Sequence, residues 1–262
     1  MKKPHLHGPF TANKTLNAQQ VHWERTFLER GDVFGLEPSY AARRASEAFK
    51  GRSGIKILEL GGGQGRDTLF FAGEGFQVNV LDYSNEGLKA IREKAQKLGV
   101  SQSIVTLKHD IRQNLPFEDA SFDGCFSHML YCMALTTVEL EFISQEIRRV
   151  LKPEGLNIYT VRNTNDVHYQ TGIHRGEDMR EVGGFIVHFF NMEKVERLAE
   201  GYTVTGIEEF EEGNLPRRLF LVILKKTETF PKKVPGARIP EERLNHETFG
   251  CGRRRQDCFP DR

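Results

Sequence analysis

A chain of 262 residues with 38% hydrophobic and 28% charged side chains can bury one real core with additions, whereas two full domains would be tight. Its 37 Lys+Arg against 36 Asp+Glu leave a net charge of +1, so no overall field argues for nucleic acid or an anionic membrane as partner. Four cysteines, at 125, 132, 251 and 258, are too few for a disulfide scaffold and fit a reducing compartment.

The start, Met1-Lys2-Lys3-Pro4, is basic but lacks the apolar stretch of about 7 to 15 residues that a secretory signal needs. No apolar run approaches the ~20 residues that span a bilayer, so a cytoplasmic protein is expected. Residues 1–50 read as a helical cap, around Trp23, Phe27 and Leu28 and, after Pro38-Ser39, around Ala41 to Phe49. From 51 to 226, apolar strand-like runs alternate with helix-like segments, the pattern of an α/β domain with a doubly wound, mostly parallel sheet.

The first strand is expected at 55–60, ending in Gly61-Gly62-Gly63-Gln64-Gly65, with a helix from Arg66. The second, 76–81, is closed by Asp82, and Leu88, Ile91, Ala95 and Leu98 mark the helix that Gly99 stops. A third strand at 104–108 and a fourth at 122–127 follow; Leu140, Ile143, Ile147 and Val150 then mark a helix face, and Lys152-Pro153-Glu154-Gly155 turns into a fifth strand at 156–161. Residues 165–190 read as a long link, of the kind that covers binding sites. Asn191 caps a short helix ending near Gly201, and strands near 202–210 and 218–224 form an antiparallel hairpin. The remainder, 227–262, holds four of the ten prolines and Arg253-Arg254-Arg255, and is expected to be a mobile polar tail.

A glycine-rich bend after the first strand brings backbone N–H groups and a helix N-terminus to a nucleotide-like ligand. The dinucleotide pattern G-x-G-x-x-G fails, because counting from Gly61 puts Arg66, and counting from Gly63 puts Thr68, where the last glycine belongs. A P-loop fails too, since no Gly-Lys-Ser or Gly-Lys-Thr follows. The pattern present is E-x-G-x-G-x-G, from Glu59 to Gly65. The Glu59 carboxylate would repel a pyrophosphate but could hold the ammonium of an amino-acid-bearing ligand. Asp82, 21 residues after Gly61, can accept ribose hydroxyl protons, and Asp110 ends the third strand beside the expected adenine.

Ile57-Leu58-Glu59-Leu60-Gly61-Gly62-Gly63-Gln64-Gly65, Leu81-Asp82-Tyr83-Ser84 and His109-Asp110-Ile111 resemble the first three motifs of the class I S-adenosylmethionine-dependent methyltransferases, especially the small-molecule branch near the tellurite-resistance and thiopurine enzymes. Leu115-Pro116-Phe117, Ser121-Phe122-Asp123 and Leu151-Lys152-Pro153-Glu154-Gly155 are similar to that family's approaches to strands four and five, and the whole covers roughly residues 20 to 226. The resemblance implies a sheet ordered 3-2-1-4-5-7-6 with strand seven antiparallel, and S-adenosylmethionine as cofactor. It implies that Gly61, Gly63 and Gly65 admit the methionine end, that Asp82 with Tyr83 binds the ribose, and that Asp110 with Ile111 frames the adenine. Ser127 at the end of strand four joins these contacts, and Trp23 is similar to residues that cover the cofactor, though it could equally anchor the amino-terminal segment. Glu154 departs from the family, which often has glycine there.

Methyl transfer is an in-line displacement in which the protein mainly aligns the partners and excludes water, so a strong base is optional. His128 is the first candidate for a base or acceptor contact, with Tyr131 and Arg162 beside it; a histidine that only satisfies a loop hydrogen bond is the alternative. His168, His174 and His188 lack metal-ligand spacing, as do Cys251, Cys258 and His246, and no metal is expected. The acceptor is expected to be a small molecule, such as a thiol or a chalcogen oxyanion. The rivals are a methyltransferase of RNA or protein and a protein that binds the cofactor without turning it over. No Asp/Asn-Pro-Pro-aromatic motif follows strand four, which weighs against nucleic acid.

Overall fold

The computed structural model describes residues 14–50, 55–213 and 217–227. Two helices come first, α1 (Lys14–Glu29) and α2 (Tyr40–Phe49), and the Ser39 hydroxyl caps α2 by accepting the Ala42 N–H. β1 (Lys56–Leu60) leads through the glycine bend into α3 (Arg66–Gly73); β2 (Gln77–Asp82) leads into α4 (Asn85–Leu98), opened by a Ser84 cap and closed by left-handed Gly99. After β3 (Ile104–Lys108) and β4 (Phe122–His128), α5 (Thr137–Val150) starts at a capping box, in which the side chains of Thr136 and Glu139 each accept the other's backbone N–H. β5 (Leu151–Arg162) is followed by the short strands β6 (Ile173–His174), β7 (Met179–Val182) and β8 (Phe185–His188). The Asn191-capped α6 (Met192–Leu198) and the pair β9 (Tyr202–Glu212) and β10 (Arg217–Lys226) complete the described chain.

The main sheet is ordered β3-β2-β1-β4-β5-β10-β9, parallel throughout except for β10, which runs against both neighbours. This is the α/β arrangement 3-2-1-4-5-7-6 with a reversed seventh strand that the resemblance implies. Alternate residues of a strand face opposite sides, and both sides are filled. Leu58 and Leu60 join Ile143, Ile147 and Tyr159 in one buried layer, while Ile57 joins Phe49, Phe71 and Ile91 in the other. The strand order reverses between β1 and β4, and in sheets of this kind ligands bind in the crevice beyond the carboxyl ends of such a pair.

Two segments differ from what the sequence predicts. The segment Lys152-Pro153-Glu154-Gly155 lies inside β5 as an irregularity, the register against β4 shifting between Phe122 and Gly124, rather than as a turn before the strand. Glu154 sits at φ +62°, a left-handed conformation that glycine adopts more easily. Residues 165–190 are not a plain link, because β6, β7 and β8 form an antiparallel sheet of their own, with Met179 and Ile186 packed on Ala134. Gly183 and Gly184, both at positive φ, make the two-residue β7–β8 turn.

The expected tail, with His246, Cys251 and Cys258, lies outside the described residues from 228 onward. Among the described residues Cys125 and Cys132 are buried free thiols, no group is placed to hold a metal, and no helix is long and apolar enough to cross a membrane.

Candidate active site

The bend after β1 is held by an acid from the neighbouring strand. Asp82, last in β2, accepts the Gly63 N–H and the Ser84 N–H, each at 2.8 Å, one on each carboxylate oxygen. It is 8% exposed, and burial raises its carboxyl although those amide bonds pull the other way. Gly65 stands at φ +89°, and a Cβ there would meet Ile91 of α4 at 2.7 Å, so both conformation and packing demand glycine. Beneath the bend, Glu59 is 3% exposed, and burial pushes its carboxyl up to about 8, with Thr68 opposing. Its Oε2 is buried without a partner. An acid tied to the bend and a second with an unmet oxygen suit a positively charged nucleoside better than a pyrophosphate.

The three polar side chains that follow the second glycine of the motif reach back to the amino-terminal segment. Gln64 donates to the Phe27 and Arg30 carbonyls at 3.3 and 2.7 Å and accepts the Val33 N–H at 2.9 Å. Arg66 donates to the Phe34 carbonyl at 3.2 Å, and Asp67 accepts both the N–H and the hydroxyl of Ser39 at 2.8 Å. Phe27 thereby lies against Gly63, 3.4 Å from where a Cβ would stand. Trp23 packs between Phe27, Phe34 and Phe185, with ring centroids 5.4, 6.0 and 4.8 Å away. Gln19 clasps the β7–β8 turn, donating to the Gly184 carbonyl at 3.0 Å and accepting the Ile186 N–H at 3.1 Å. Glu24 accepts the Asn85 N–H at 3.2 Å and keeps its other oxygen buried and unpartnered.

Beyond β3, both Asp110 oxygens are taken by the Arg112 guanidinium at 2.7 to 3.2 Å, and Arg112 also donates to Asn17 of α1. Burial works against it, but Arg112 holds the Asp110 carboxyl below its ordinary range. Ile111 turns its side chain into the core, and burial pushes the half-buried Tyr83 phenol upward. At the end of β4, Ser127 is fully buried with an unpartnered hydroxyl. His128 places Nδ1 3.0 Å from the Thr160 hydroxyl, which also accepts the Met129 N–H, and Nε2 2.9 Å from Glu212 Oε2.

Two expected acceptor residues stand elsewhere. Tyr131 is wholly buried in the core, stacked on Tyr159 at 4.5 Å with its hydroxyl toward Asn157, because the chain after β4 turns inward at that residue. Arg162 has its guanidinium bound to Asp166 and His168 and lies over the Phe189 ring, so it knits the end of β5 to the following loop. The site also gathers Glu212, Gln64 and Arg112, which sequence reasoning missed. Gln64 and Arg112 stand one and two residues from motif positions, whereas Glu212 lies past the strand expected near 202–210, where no motif marks it.

Residues 57–155 match the family described as "Methyltransferase domain". YqeM of Bacillus subtilis (strain 168) is 35% identical over 123 residues, 46% of this chain and 46% of its own. The demethylmenaquinone methyltransferase of Desulfitobacterium hafniense (strain Y51) is 30% identical over 126 residues, 47% of this chain and 48% of its own. The chain thus spans about half the length of these relatives. Among solved structures, the Burkholderia thailandensis 1,6-didemethyltoxoflavin-N1-methyltransferase, with 1,6-didemethyltoxoflavin and S-adenosylhomocysteine bound, aligns at a TM-score of 0.64 and 19% identity over 85% of this chain and 94% of its own. A Methanosarcina mazei S-adenosylmethionine-dependent methyltransferase aligns at 0.58 and 21% identity over 72% of this chain and 99% of its own. At these identities the likeness is one of fold.

Proposed function

We propose, from the match of residues 57–155 to a methyltransferase domain, that the protein moves a methyl group from S-adenosylmethionine to a small-molecule acceptor. The reading is carried by the glycine bend, where Asp82 grips Gly63 and Glu59 keeps a buried oxygen unmet. When bound, the cofactor supplies a methyl on a sulfonium sulfur, already activated for displacement.

The protein's own part is to hold and to exclude. Gly61, Gly63 and Gly65 leave room against the bend, Glu59 takes the ammonium end, and Asp82 accepts ribose hydroxyls on lone pairs that its two amide bonds leave over. Tyr83 and the backbone at 110–111 frame the base, and Ser127 offers its unpartnered hydroxyl from the end of β4. α2 packs into the core with Phe49, while α1 acts as the cap, with Phe27 against the bend and Trp23 behind it, and together with the β6–β8 sheet it keeps water from the reacting atoms. His128, flanked on both nitrogens, orders the acceptor side and is not a free base. A small acceptor is supported by the near-neutral charge and by relatives named for a demethylmenaquinone and a toxoflavin precursor.

Calorimetric titration with S-adenosylmethionine and NAD, followed by mass spectrometry of acceptor mixtures, tests the reading. Uptake of S-adenosylmethionine alone and acceptor-dependent release of S-adenosylhomocysteine are expected. Uptake of the nicotinamide coenzyme with indifference to S-adenosylmethionine would overturn it.

A further inference from the structure

A carboxylate that no motif announces spans the β1–β4 crevice. Arg66, opening α3 on the β1 side, and His128, closing β4, stand on its two lips, and Glu212 from the end of β9 reaches both. Its Oε1 is 3.5 Å from Arg66 Nη1 and its Oε2 is 2.9 Å from His128 Nε2. Leu130, two residues past His128, lies against Gly61, where an added Cβ would meet it at 2.9 Å, so this corner adjoins the glycine bend. Glu212 Oε2 has only His128 Nε2 beside it, and the neighbouring Ser127 hydroxyl, wholly buried, has no partner at all. A buried hydroxyl left unmet beside a carboxylate calls for a polar ligand.

Resting on the methyltransferase reading above, we propose that Glu212 is the acceptor-recognition residue and that the acceptor is an amine whose N–H the Glu212 carboxylate binds. A thiolate or an oxyanion in the same place would face a negative charge at contact distance, and Arg66 cannot offset this because it is shared with Asp67 at 3.2 Å. A hydroxyl acceptor needs its proton removed during attack, by a base whose pKa lies near the working pH. Glu212 is a poor one: burial works to raise its carboxyl, but His128, with Arg66 and Arg217 behind it, holds it below the ordinary range. His128 cannot substitute, with Thr160 on one nitrogen and Glu212 on the other. A weakly basic amine, such as an arylamine, is unprotonated at neutral pH, attacks with its lone pair and sheds its proton afterwards, so the acceptor is of this kind. The lone pair forms the N–C bond, the C–S bond breaks with its electrons returning to sulfur, and the ammonium proton passes by way of Glu212 to water.

Matched probes separate the classes: aniline, unprotonated at neutral pH, against benzoate and against thiophenol. Each is titrated into the S-adenosylhomocysteine complex by NMR and assayed for methylation, with wild type and Glu212→Gln. The expected result is that an amine binds and is methylated, that its acid or thiol counterpart is not, and that Glu212→Gln lowers kcat/KM for the amine about 10- to 100-fold. S-adenosylmethionine affinity should be the same in both proteins. Preference for thiophenol or benzoate, equal amine transfer by the variant, or no amine binding to the complex overturns the proposal. A protein that takes up no S-adenosylmethionine overturns the function above instead, before any acceptor is tried.

Discussion

At Glu59 the burial that lifts the carboxyl to about 8 leaves it largely protonated at neutral pH, while a cofactor ammonium requires the carboxylate. Binding of S-adenosylmethionine near pH 7 should therefore expel a proton, seen in calorimetry as a heat that varies with the ionisation enthalpy of the buffer. Glu59→Gln should bind without that release, and a wild-type protein that releases none does not use Glu59 for the ammonium. On the proposed reading Asp82 has a double duty, since the oxygens assigned to the ribose also hold the Gly63 and Ser84 amides. Loss of a charged hydrogen bond costs about 1.5 to 3 kcal/mol, so Asp82→Ala should weaken cofactor binding about 10- to 100-fold. Unchanged affinity by calorimetry would remove Asp82 from the site.

Between elements, the most consequential tie is the side chain of Gln64, which satisfies two carbonyls at the end of α1 and the N–H of Val33 from inside the glycine bend. Gln64→Ala should speed amide exchange across residues 27–34 at least several-fold while the strands keep their protection; exchange unchanged by mass spectrometry would mean the cap docks without it. β1, β4 and β10 were legible because burial on both faces makes them largely apolar runs, whereas the exposed edge strands β3 and β9 were placed by the alternation and turns around them. β6, β7 and β8 were not, since strands of two to four residues between glycines show no period. The acids of the donor side follow from motif spacing, but the acceptor side does not. Tyr131 and Arg162 were singled out by place along the chain, which does not tell which way a side chain turns once its strand has ended. Glu212, at the end of β9, meets His128, at the end of β4, across the two intervening strands β5 and β10, a relation between distant segments that no local pattern carries.

At the scale of the molecule, the buried acids shape the response to pH. Glu59 keeps a proton up to about 8 that an ordinary carboxyl loses near 4.5, so the native state binds more protons than the unfolded chain in that window and stability falls as pH rises. His188 opposes this only below its ordinary 6.5, where its burial lowers its own value. Between pH 6.5 and 8 the Tm of the free protein should therefore decline, and Glu59→Gln should flatten the decline; equal slopes would deny Glu59 that role. On the acid side, Arg162 outweighs burial and holds Asp166 below 3.8, so the stability this pair contributes is complete above that value and is lost on further acidification. The stretch shared with the methyltransferase family ends at residue 155, whereas Trp23, the β7–β8 turn and Glu212 all lie outside it. On the proposed reading most of the grip on the donor falls within the shared stretch while Glu212 falls outside it, so grafting another carboxyl-terminal hairpin onto the same stretch should change which receiver is taken.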